Sequence, residues 1–335
     1  MSKDPSKLAV AIIGAGQVGQ KHGQAFANLG PDVQIVGVAD SDENRAARLA
    51  AICSSRAFAD YRDLLELAPN IAVVCLPHHL HHEVGLAAAE AGCHILMEKP
   101  LAPTLAEARA IVAHCRQRGV YLTVGFVHRY RTEFQQAYQL IASGQLGELT
   151  MMTDIFGLPG GVHIPGWVWQ SRQAGGGILL YSGIHSLDWQ RWLVGSEVNE
   201  VFARTVPQRQ SSDAEQALVV TLSYANGCLG TLIGHQPGYL VTPRTRSTEI
   251  YGLQACLRIR SGEYLEFSND TQAYRLDVGR DDPFVTQARE FVAAVRGRRE
   301  PWITGEDGLR ALAVSLAIFR SAEMGQPVSV SNIVK

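Results

Sequence analysis

Over the first 125 residues, short apolar runs alternate with segments that carry apolar residues at helical spacing. A continuous apolar run indicates a strand that is buried on both faces. Such runs fall at residues 8–13, 34–39, 71–76, 94–97 and 121–124. The segments between them predict helices at residues 18–29, 43–51, 83–91 and 105–118. This alternation predicts an α/β region with a doubly wound parallel sheet.

Beyond Gly125 the pattern changes to shorter runs in which apolar and polar residues alternate. Helices are predicted at residues 134–143 and 308–324, so the second half is α+β with a large, mostly antiparallel sheet. The predicted strands lie at residues 149–156, 198–206, 217–224, 228–235, 247–252 and 256–259. We therefore expect two domains, residues 1–125 and residues 126–335. If helices cover one sheet face, the other is expected to pack on another copy of the chain, giving a homodimer or homotetramer.

A glycine-rich turn joins the first predicted strand to the first predicted helix. Gly14 permits a tight turn, Gly16 lets a phosphate approach the backbone, and Gly19 lets the helix pack closely on the strand. The phosphate would meet free N–H groups at the positive end of the helix dipole. The second strand ends in Asp40, which can accept hydrogen bonds from ribose hydroxyls. These features predict a dinucleotide-binding Rossmann domain; the alternative is a glycine turn that serves only as a connection.

Asp40 also bears on the choice of cofactor. Its carboxylate repels a ribose 2′-phosphate, which favours NAD over NADP. Arg45 and Arg48 could offset that repulsion if they turned inward, but we expect them on the solvated face of their helix. NAD is the predicted cofactor, and NADP is the alternative.

Composition excludes several other classes of protein. The net charge is −2 with both signs interspersed, so we expect no nucleic-acid partner. No apolar run approaches the ~20 residues that span a bilayer, and the first residues lack the apolar core of a signal peptide. The six cysteines are scattered, which argues against a zinc site or a disulfide framework and suits a reducing cytoplasm.

The ordered motifs of the chain resemble those of the glucose–fructose oxidoreductase / inositol dehydrogenase (Gfo/Idh/MocA) family. They are the Gly14–Gly19 loop, Glu98-Lys99-Pro100, Gly125-Phe126 with Arg129, Gly175-Gly176-Gly177 running to His185 and Asp188, and residues 305–308. The resemblance implies an NAD(P)-dependent dehydrogenase or reductase that acts on a secondary alcohol or ketone of a sugar, cyclitol or related polyol. It does not identify the substrate, because many substrates share this fold.

The resemblance gives Lys99 the central role, as the ammonium that hydrogen-bonds the reacting oxygen and relays a proton. Glu98 would contact the cofactor ribose, and Pro100, expected to be cis, would aim the lysine. The alternative for Lys99 is an ordinary surface lysine whose stem lies along the protein. With the loop, the resemblance assigns cofactor contacts to Gly14, Gly16, Gln17, Val18, Gly19, Asp40, Pro77, His78, His81, Glu98 and Lys99.

His185 is the implied general acid/base. In the family an aspartate precedes this histidine by four residues, one helical turn, whereas this chain has Tyr181 there. Tyr181 is either a proton carrier or a residue that only lines the pocket. Asp188 could orient His185, although an acid on the helix face is the more ordinary interpretation.

Other candidate substrate contacts are open to two interpretations each. His128 and Arg129 could reach substrate hydroxyls, and Arg129 could instead form an interdomain salt bridge. Trp167 and Trp169 could stack on a sugar ring or simply pack. The arginines of segment 242–246 could bind an anionic substituent, but we expect a solvated loop. The histidines of segment 78–82 suggest a metal site; since no other ligand cluster completes it, we expect none.

Two alternative functions are compatible with the sequence. The loss of the aspartate at position 181 favours a catalytically silent, cofactor-sensing regulatory protein, whereas Lys99 and His185 favour an enzyme. A sugar oxidoreductase with non-dissociable NADP is the second alternative.

Overall fold

The computed structural model describes residues 7–158, 164–207, 213–236, 245–279 and 281–334. Of Thr245 it describes the backbone alone. Its strands are β1 Leu8–Ile13, β2 Val33–Ala39, β3 Arg56–Phe58, β4 Ile71–Val74, β5 His94–Met97, β6 Leu122–Val124, β7 Leu149–Gly157, β8 Val198–Pro207, β9 Glu215–Tyr224, β10 Leu229–His235, β11 Thr245–Gly252, β12 Cys256–Arg260, β13 Tyr264–Ser268, β14 Ala273–Asp277 and β15 Val328–Ser329. Its α-helices are α1 Gln17–Ala27, α2 Glu43–Ile52, α3 Tyr61–Leu65, α4 His81–Glu90, α5 Leu105–Arg118, α6 Thr132–Ala142, α7 Ser171–Ala174, α8 Ile184–Val194, α9 Pro283–Gly297, α10 Gly305–Met324 and α11 Ser331–Val334.

The chain divides into two units that alternate along the sequence. The first comprises Met1–Val127 and Asp282–Leu309, and the second comprises His128–Asp281 and Arg310–Lys335. A single boundary at Gly125 therefore does not describe the chain, because residues 282–309 belong with the first unit.

The first unit contains a parallel sheet in the strand order β3-β2-β1-β4-β5-β6. The predicted parallel sheet is confirmed. The order reverses between β1 and β4, and in open α/β sheets ligands bind at such a switch point, beyond the carboxyl ends of the strands. Helix α5 has the predicted bounds, since Thr104 and Glu107 form a capping box at its start and Gly119, at φ +67°, ends it.

Helix α9 was not among the predicted elements, although the sequence carries its signals. The Asp282 side chain accepts a hydrogen bond from the Phe284 N–H, and Pro283 occupies the first helical position. Ala288, Phe291, Val292 and Val295 follow at helical spacing and pack in the core of the first unit with β1 and β2 residues.

The second unit contains a sheet in the order β14-β13-β12-β11-β7-β10-β9-β8-β15. Its described strand pairs are antiparallel except β7 with β10, which is parallel, so the prediction of a large, mostly antiparallel sheet is confirmed. Strands β13, β14 and β15 were not predicted. Residues from α6, α8 and α10 share a hydrophobic core with one face of this sheet.

The predicted absence of a bilayer-spanning run has a structural counterpart. Among the described residues, no helix combines the length and the apolar character that crossing a membrane needs. Four of the six cysteines are buried, and Cys75 and Cys256 are partly exposed.

Candidate active site

The glycine-rich loop after β1 leaves no space for side chains at two of its glycines. A Cβ on Gly14, which has φ +98°, would lie 2.2 Å from the Cys75 carbonyl oxygen. A Cβ on Gly19 would lie 1.9 Å from the Gly14 carbonyl oxygen, so α1 packs directly on the loop. A Cβ on Gly16 would meet no atom within 4 Å. The loop thus packs tightly inward and is open at Gly16, as phosphate binding requires.

The start of α1 suits an anion. Gly16 is its N-cap, no side chain caps it, and no acid occupies the first turn. Gln17 and Val18 are exposed there. Because the first N–H groups of a helix lack intrahelical acceptors and carry the positive end of the dipole, this end favours a pyrophosphate. The described residues therefore fit the phosphates of a dinucleotide.

Asp40 follows β2 and holds the loop. Its Oδ2 accepts the Ala15 N–H at 2.8 Å, and its Oδ1 accepts the Asp42 N–H at 2.8 Å. Arg45 donates from Nη2 to the same Oδ1 at 2.9 Å, although its side chain is 44% exposed. Arg45 and Arg48 are both exposed, as expected, and Arg45 in addition pairs with Asp40.

Lys99 lies at the carboxyl end of β5, two strands from β1 in the sheet. Neighbouring strands are about 4.8 Å apart, so Lys99 and the glycine loop are separated by about 10 Å across the sheet. The lysine is half-buried, and the Lys99–Pro100 peptide bond is cis, as the resemblance implied.

Glu98 is buried beside Lys99 and has partners of its own. Its Oε1 lies 2.9 Å from Nε2 of His22 on α1, and its Oε2 accepts the Lys99 N–H at 3.2 Å. Burial raises the pKa of Glu98, but the His22 hydrogen bond and the nearby charges of His22 and Lys99 outweigh it and hold that pKa below its usual range. A contact between Glu98 and the cofactor ribose stays a prediction.

The histidines after β4 are placed by the backbone. The His81 ring is fully buried, with Nδ1 2.8 Å from the Pro100 carbonyl oxygen and Nε2 2.9 Å from the Leu76 carbonyl oxygen. Burial lowers the pKa of His81, against the raising effect of both carbonyls. His78 is also buried, with its ring 5.9 Å from that of His81, and Pro77 is half-buried. Within the described part of the chain, no three His, Cys, Asp or Glu side chains come together as metal ligands.

In the second unit, His185 and Tyr181 lie on either side of a helix junction. Leu179–Gly183 forms a π-helical turn that leads directly into α8, so the regular α-helical turn assumed between the two residues is replaced by a wider one. His185 is 7% exposed and Tyr181 is half-buried. Single π turns inside helices occur frequently at functional sites.

Glu215 holds the glycine turn that precedes this junction. Its buried carboxylate accepts the Gly177 N–H at 2.7 Å and the Leu179 N–H at 2.8 Å. A Cβ on Gly177 would lie 2.1 Å from the Glu215 carbonyl oxygen. Burial raises the pKa of Glu215, although the two N–H donors lower it. Sequence reasoning did not identify Glu215, because nothing local links it to a turn almost forty residues earlier.

His128 contacts His185 within the second unit. The two rings meet edge to face with centroids 4.5 Å apart, and the His128 ring lies 5.4 Å from that of Trp189. Arg131 donates from Nε to Nδ1 of His128 at 2.9 Å. Since that nitrogen accepts, a neutral His128 carries its proton on Nε2.

Arg129 and Asp188 form a buried ion pair within the second unit. Arg129 donates from Nε to Oδ2 of Asp188 at 2.8 Å and from Nη2 to Oδ1, and the two side chains are 5% and 2% exposed. The salt bridge considered for Arg129 is therefore present, but it lies inside one unit. Asp188 is bound by Arg129 rather than lying on an exposed helix face.

Trp167 and Trp169 are half-buried and pack against the core of the second unit. Residues 242–244 lie outside the described residues. Arg246 is on β11 rather than in a solvated loop: it donates from Nη2 to the Ser182 hydroxyl at 2.9 Å, and its guanidinium lies 4.8 Å from the centre of the Trp189 ring.

Comparison with known proteins agrees with this geometry. Residues 8–126 match the model of an oxidoreductase family with an NAD-binding Rossmann fold, and residues 134–258 match the GFO/IDH/MocA C-terminal domain. The chain belongs to the GFO/IDH/MocA family of NAD-binding oxidoreductases.

Relatives of this GFO/IDH/MocA oxidoreductase extend over almost the whole chain. An inositol 2-dehydrogenase 2 of Paenarthrobacter aurescens is 30% identical over 94% of this chain and 96% of its own. A D-glucoside 3-dehydrogenase of Escherichia coli is 29% identical over 97% and 98%. The structure of a levoglucosan dehydrogenase in complex with NADH superposes with a TM-score of 0.90 at 22% identity, over 97% of this chain and 99% of that one. The predicted family, fold, enzyme class and NAD cofactor are confirmed.

Proposed function

We propose that this GFO/IDH/MocA oxidoreductase oxidises a secondary hydroxyl of a sugar, cyclitol or related polyol, or reduces the corresponding ketone. The observation that carries the proposal is the position of Lys99 at the carboxyl edge of the parallel sheet that also bears the glycine loop and Asp40. Asp40, after β2, and the glycine loop would hold the adenosine and phosphate parts of a dinucleotide at this edge, and Lys99, after β5, would lie on the nicotinamide side of the switch point.

Lys99 acts as the electrophile and proton relay. Its ammonium donates a hydrogen bond to the oxygen on the reacting carbon and stabilises the negative charge that develops there. A nicotinamide bound beside it would supply the hydride chemistry. The buried Glu98 carboxylate gives the lysine a fixed negative neighbour.

His185 acts as the acid/base, with Tyr181 lining the same pocket wall one turn before it. The neutral imidazole accepts the hydroxyl proton during oxidation and returns it during reduction. Its edge contact with His128 and the glycine turn held by Glu215 support this assignment, because both limit the freedom of the ring. The His128 ring and the half-buried Trp167 and Trp169 are proposed substrate contacts.

The proposed substrate class is supported by the relatives, which are named for a glucoside and for inositol. Both are rings that carry several secondary hydroxyls. A ring of this kind offers polar edges for hydrogen bonds and C–H faces for tryptophans.

The outward face of the second unit's sheet is proposed to pack against a second copy of this chain. Leu229 pairs with Met151 in one apolar row, and Ile233 pairs with Ile155 and Val219 in a second; Thr153, Thr231 and Thr221 form the row between them. Met151, Ile155, Val219 and Leu229 are each more than a third exposed. Several exposed apolar side chains on one sheet face are typical of an interface. The scattered cysteines support a cytoplasmic location for the assembly.

The deciding experiment is an assay of NAD⁺ reduction with pooled glucosides, inositols and anhydrosugars. We expect turnover in one pool for the wild-type chain and for Lys21→Ala, a matched change at an exposed lysine, and none for Lys99→Ala. NADH binding, measured by titration, is expected to survive in Lys99→Ala. Undiminished turnover in Lys99→Ala would contradict the mechanism.

Two results would favour other functions. NADH binding without turnover in any pool would support a regulatory protein, the alternative that Tyr181 suggests. A cofactor that stays bound through purification and exchanges only with a second substrate would support a hydride shuttle with non-dissociable NADP.

A further inference from the structure

A buried histidine of the first unit contacts the Glu98-Lys99-Pro100 segment. His22 is on α1, which begins at the glycine loop, and its ring is fully buried. Its Nε2 lies 2.9 Å from Oε1 of Glu98, the residue that precedes Lys99. An ionised carboxylate only accepts hydrogen bonds, so Nε2 must carry the proton. Helix α1 and the Glu98-Lys99-Pro100 segment are therefore joined through one buried hydrogen bond.

The His22 ring is fixed by its surroundings. It meets the ring of Phe284 edge to face, with centroids 4.9 Å apart and planes at 79°. Its Nδ1 is buried and makes no hydrogen bond within the described parts of the chain. Within the described residues, the hydrogen bond that the ring makes is therefore the one from Nε2 to Glu98.

The Glu98 carboxylate is fixed on its other sides as well. Its Oε2 accepts the N–H of Lys99 at 3.2 Å. A Cβ on Gly125 would lie only 2.6 Å from Oε1, so the glycine leaves the space that the carboxylate fills. The chain on the other side of Lys99 is held by His81, whose Nδ1 is 2.8 Å from the Pro100 carbonyl oxygen.

We propose that His22 is a positioning residue for Lys99, acting through the buried carboxylate of Glu98. The hydrogen bond from Nε2 keeps that carboxylate ionised and in one place, and the carboxylate fixes the Lys99 peptide and stabilises its ammonium. The importance of this effect for turnover rests on the function proposed for Lys99. The electrostatic link between His22 and Lys99 does not.

The groups that face this carboxylate come from several elements. They are His22 on α1, Cys75 after β4, His81 on α4, and Lys99 itself. Burial raises the pKa of the Cys75 thiol, and the Glu98 charge raises it further. Burial alone would also raise the pKa of Glu98, so the carboxylate depends on His22 and Lys99 for its ionised form. Without the His22 donor, Glu98 protonates more readily and Lys99 loses a negative neighbour.

Because the chain has few lysines, the effect of His22 on the pKa of Lys99 can be measured without a substrate. The sequence has five lysines, at positions 3, 7, 21, 99 and 335. Reductive methylation with ¹³C-formaldehyde therefore gives few NMR signals, and the Lys99 signal is the one that Lys99→Arg lacks. The pH titration of that signal reports the pKa of the methylated Lys99 amine.

In His22→Phe, which keeps a ring but removes the donor, we expect the Lys99 titration to move down by at least about half a pH unit. In His22→Gln, whose amide N–H reaches a similar position, the Lys99 titration is expected to return most of the way to its wild-type position. Gln24→Ala, on the exposed face of the same helix, is the matched control and should leave the Lys99 titration unchanged. In the assay, His22→Phe is expected to lower kcat about tenfold or more with little change in NADH affinity, because a misplaced group costs rate rather than binding.

Either of two results would overturn the proposal: an unchanged Lys99 titration in a folded His22→Phe, or a His22→Gln that behaves like His22→Phe. If His22→Phe does not fold, Glu98→Gln removes the charge with the shape kept, and the same downward shift is required. A shift in titration combined with undiminished turnover in Lys99→Ala would uphold the link and reject only the function proposed for Lys99.

Discussion

Two buried glutamates, one in each unit, have pKa values that shift in opposite directions. Each accepts at least one backbone N–H: Glu98 that of Lys99, and Glu215 those of Gly177 and Leu179. The pKa of Glu98 is lowered, because His22 and Lys99 outweigh burial, whereas burial raises the pKa of Glu215. Backbone donors by themselves do not offset the burial of a carboxylate here; a neighbouring group that carries or shares positive charge does.

The same contrast extends to how each unit builds its candidate site. In the first unit, glycines, a helix N-terminus and backbone carbonyls shape the site around a few side chains. In the second unit, the site depends on side-chain pairs such as Arg129 with Asp188 and Arg131 with His128. Substitutions should therefore damage the two units in different ways.

The largest expected effect is in the second unit. Arg129→Met leaves the Asp188 carboxylate buried without its guanidinium, so we expect a loss of about 3–5 kcal/mol in the free energy of unfolding. The double variant with Asp188→Leu should recover part of it. Arg320→Met, which breaks an exposed pair with Glu323, is the control and should not differ from wild type in calorimetry. Equal effects of Arg129→Met and Arg320→Met would refute a structural role for the buried pair.

The first unit should instead be sensitive to its backbone contacts. Gly19→Ala sets a methyl group 1.9 Å from the Gly14 carbonyl oxygen, and we expect a loss of about 3 kcal/mol. Gly16→Ala, with φ −68° and open space around its Cβ, is expected to keep the stability of wild type. It should nevertheless weaken NADH binding roughly tenfold, since the methyl group stands where a phosphate approaches. A Gly16→Ala variant that binds NADH normally would contradict the assigned phosphate position.

The two glutamates predict opposite pH dependences of stability. The lowered pKa of Glu98 means that its contribution is present above the unfolded-state pKa of about 4.3 and is lost as the pH falls through the folded-state value. The raised pKa of Glu215 means that its contribution is present below about pH 4.3 and is lost as the pH rises through the folded-state value. Relative to wild type, Glu98→Gln should therefore be most destabilising at neutral pH and Glu215→Gln at acidic pH, by about 1–2 kcal/mol each.

Denaturation of both variants and of wild type between about pH 3.5 and 7 measures how steeply the free energy of unfolding changes with pH. If the destabilisation relative to wild type changed with pH in the same way in both variants, the partners of the two carboxylates would not differ as described.

The proposed interface lies on the second unit alone, on the outward face of its sheet. Ile155→Asp places a charge in one of the two apolar rows, and we expect the proposed assembly to dissociate to monomers in light scattering after gel filtration. Ile52→Asp, the same change at an exposed isoleucine at the end of α2 in the first unit, is the control. Assembly that persists unchanged in Ile155→Asp would place the interface elsewhere.

The smallest expected effect concerns Arg45. Its pair with Asp40 offsets part of the repulsion that the carboxylate exerts on a 2′-phosphate. Arg45→Ala should therefore raise the preference for NAD over NADP by a few-fold, measured as the ratio of the two kcat/KM values. Arg48→Ala, at an exposed position three residues later, should leave the ratio as it is.

Much of the first unit could be predicted because its features are local in sequence. The strand, glycine turn and helix that are predicted to bind a phosphate occupy residues 8–27 without a break, and Glu98-Lys99-Pro100 directly follows β5. Helix α9 was missed although its cap and spacing were present, and the division of the chain at residue 282 was missed with it. His22 was also missed, since its importance depends on Glu98, seventy-six residues away.

The second unit was predicted in outline only. Its strands followed the period-two pattern, but the parallel pairing of β7 with β10 and the π turn before α8 have no local signal. Nor does the sequence show that Glu215 binds the glycine turn or that Asp188 binds Arg129.

The sequence by itself determined the fold class and the nucleotide-binding loop, because periodicity and glycine chemistry act between residues that are near in the chain. Its motifs identified the family and the NAD cofactor through their resemblance to known proteins, and the role of Lys99 stays a prediction. Only the tertiary structure decided which buried charges have partners: His22 for Glu98, backbone N–H groups for Glu215, Arg129 for Asp188. The physical reason is that a buried ionisable group takes its pKa and its cost from whatever packs against it, and those contacts come from distant parts of the chain.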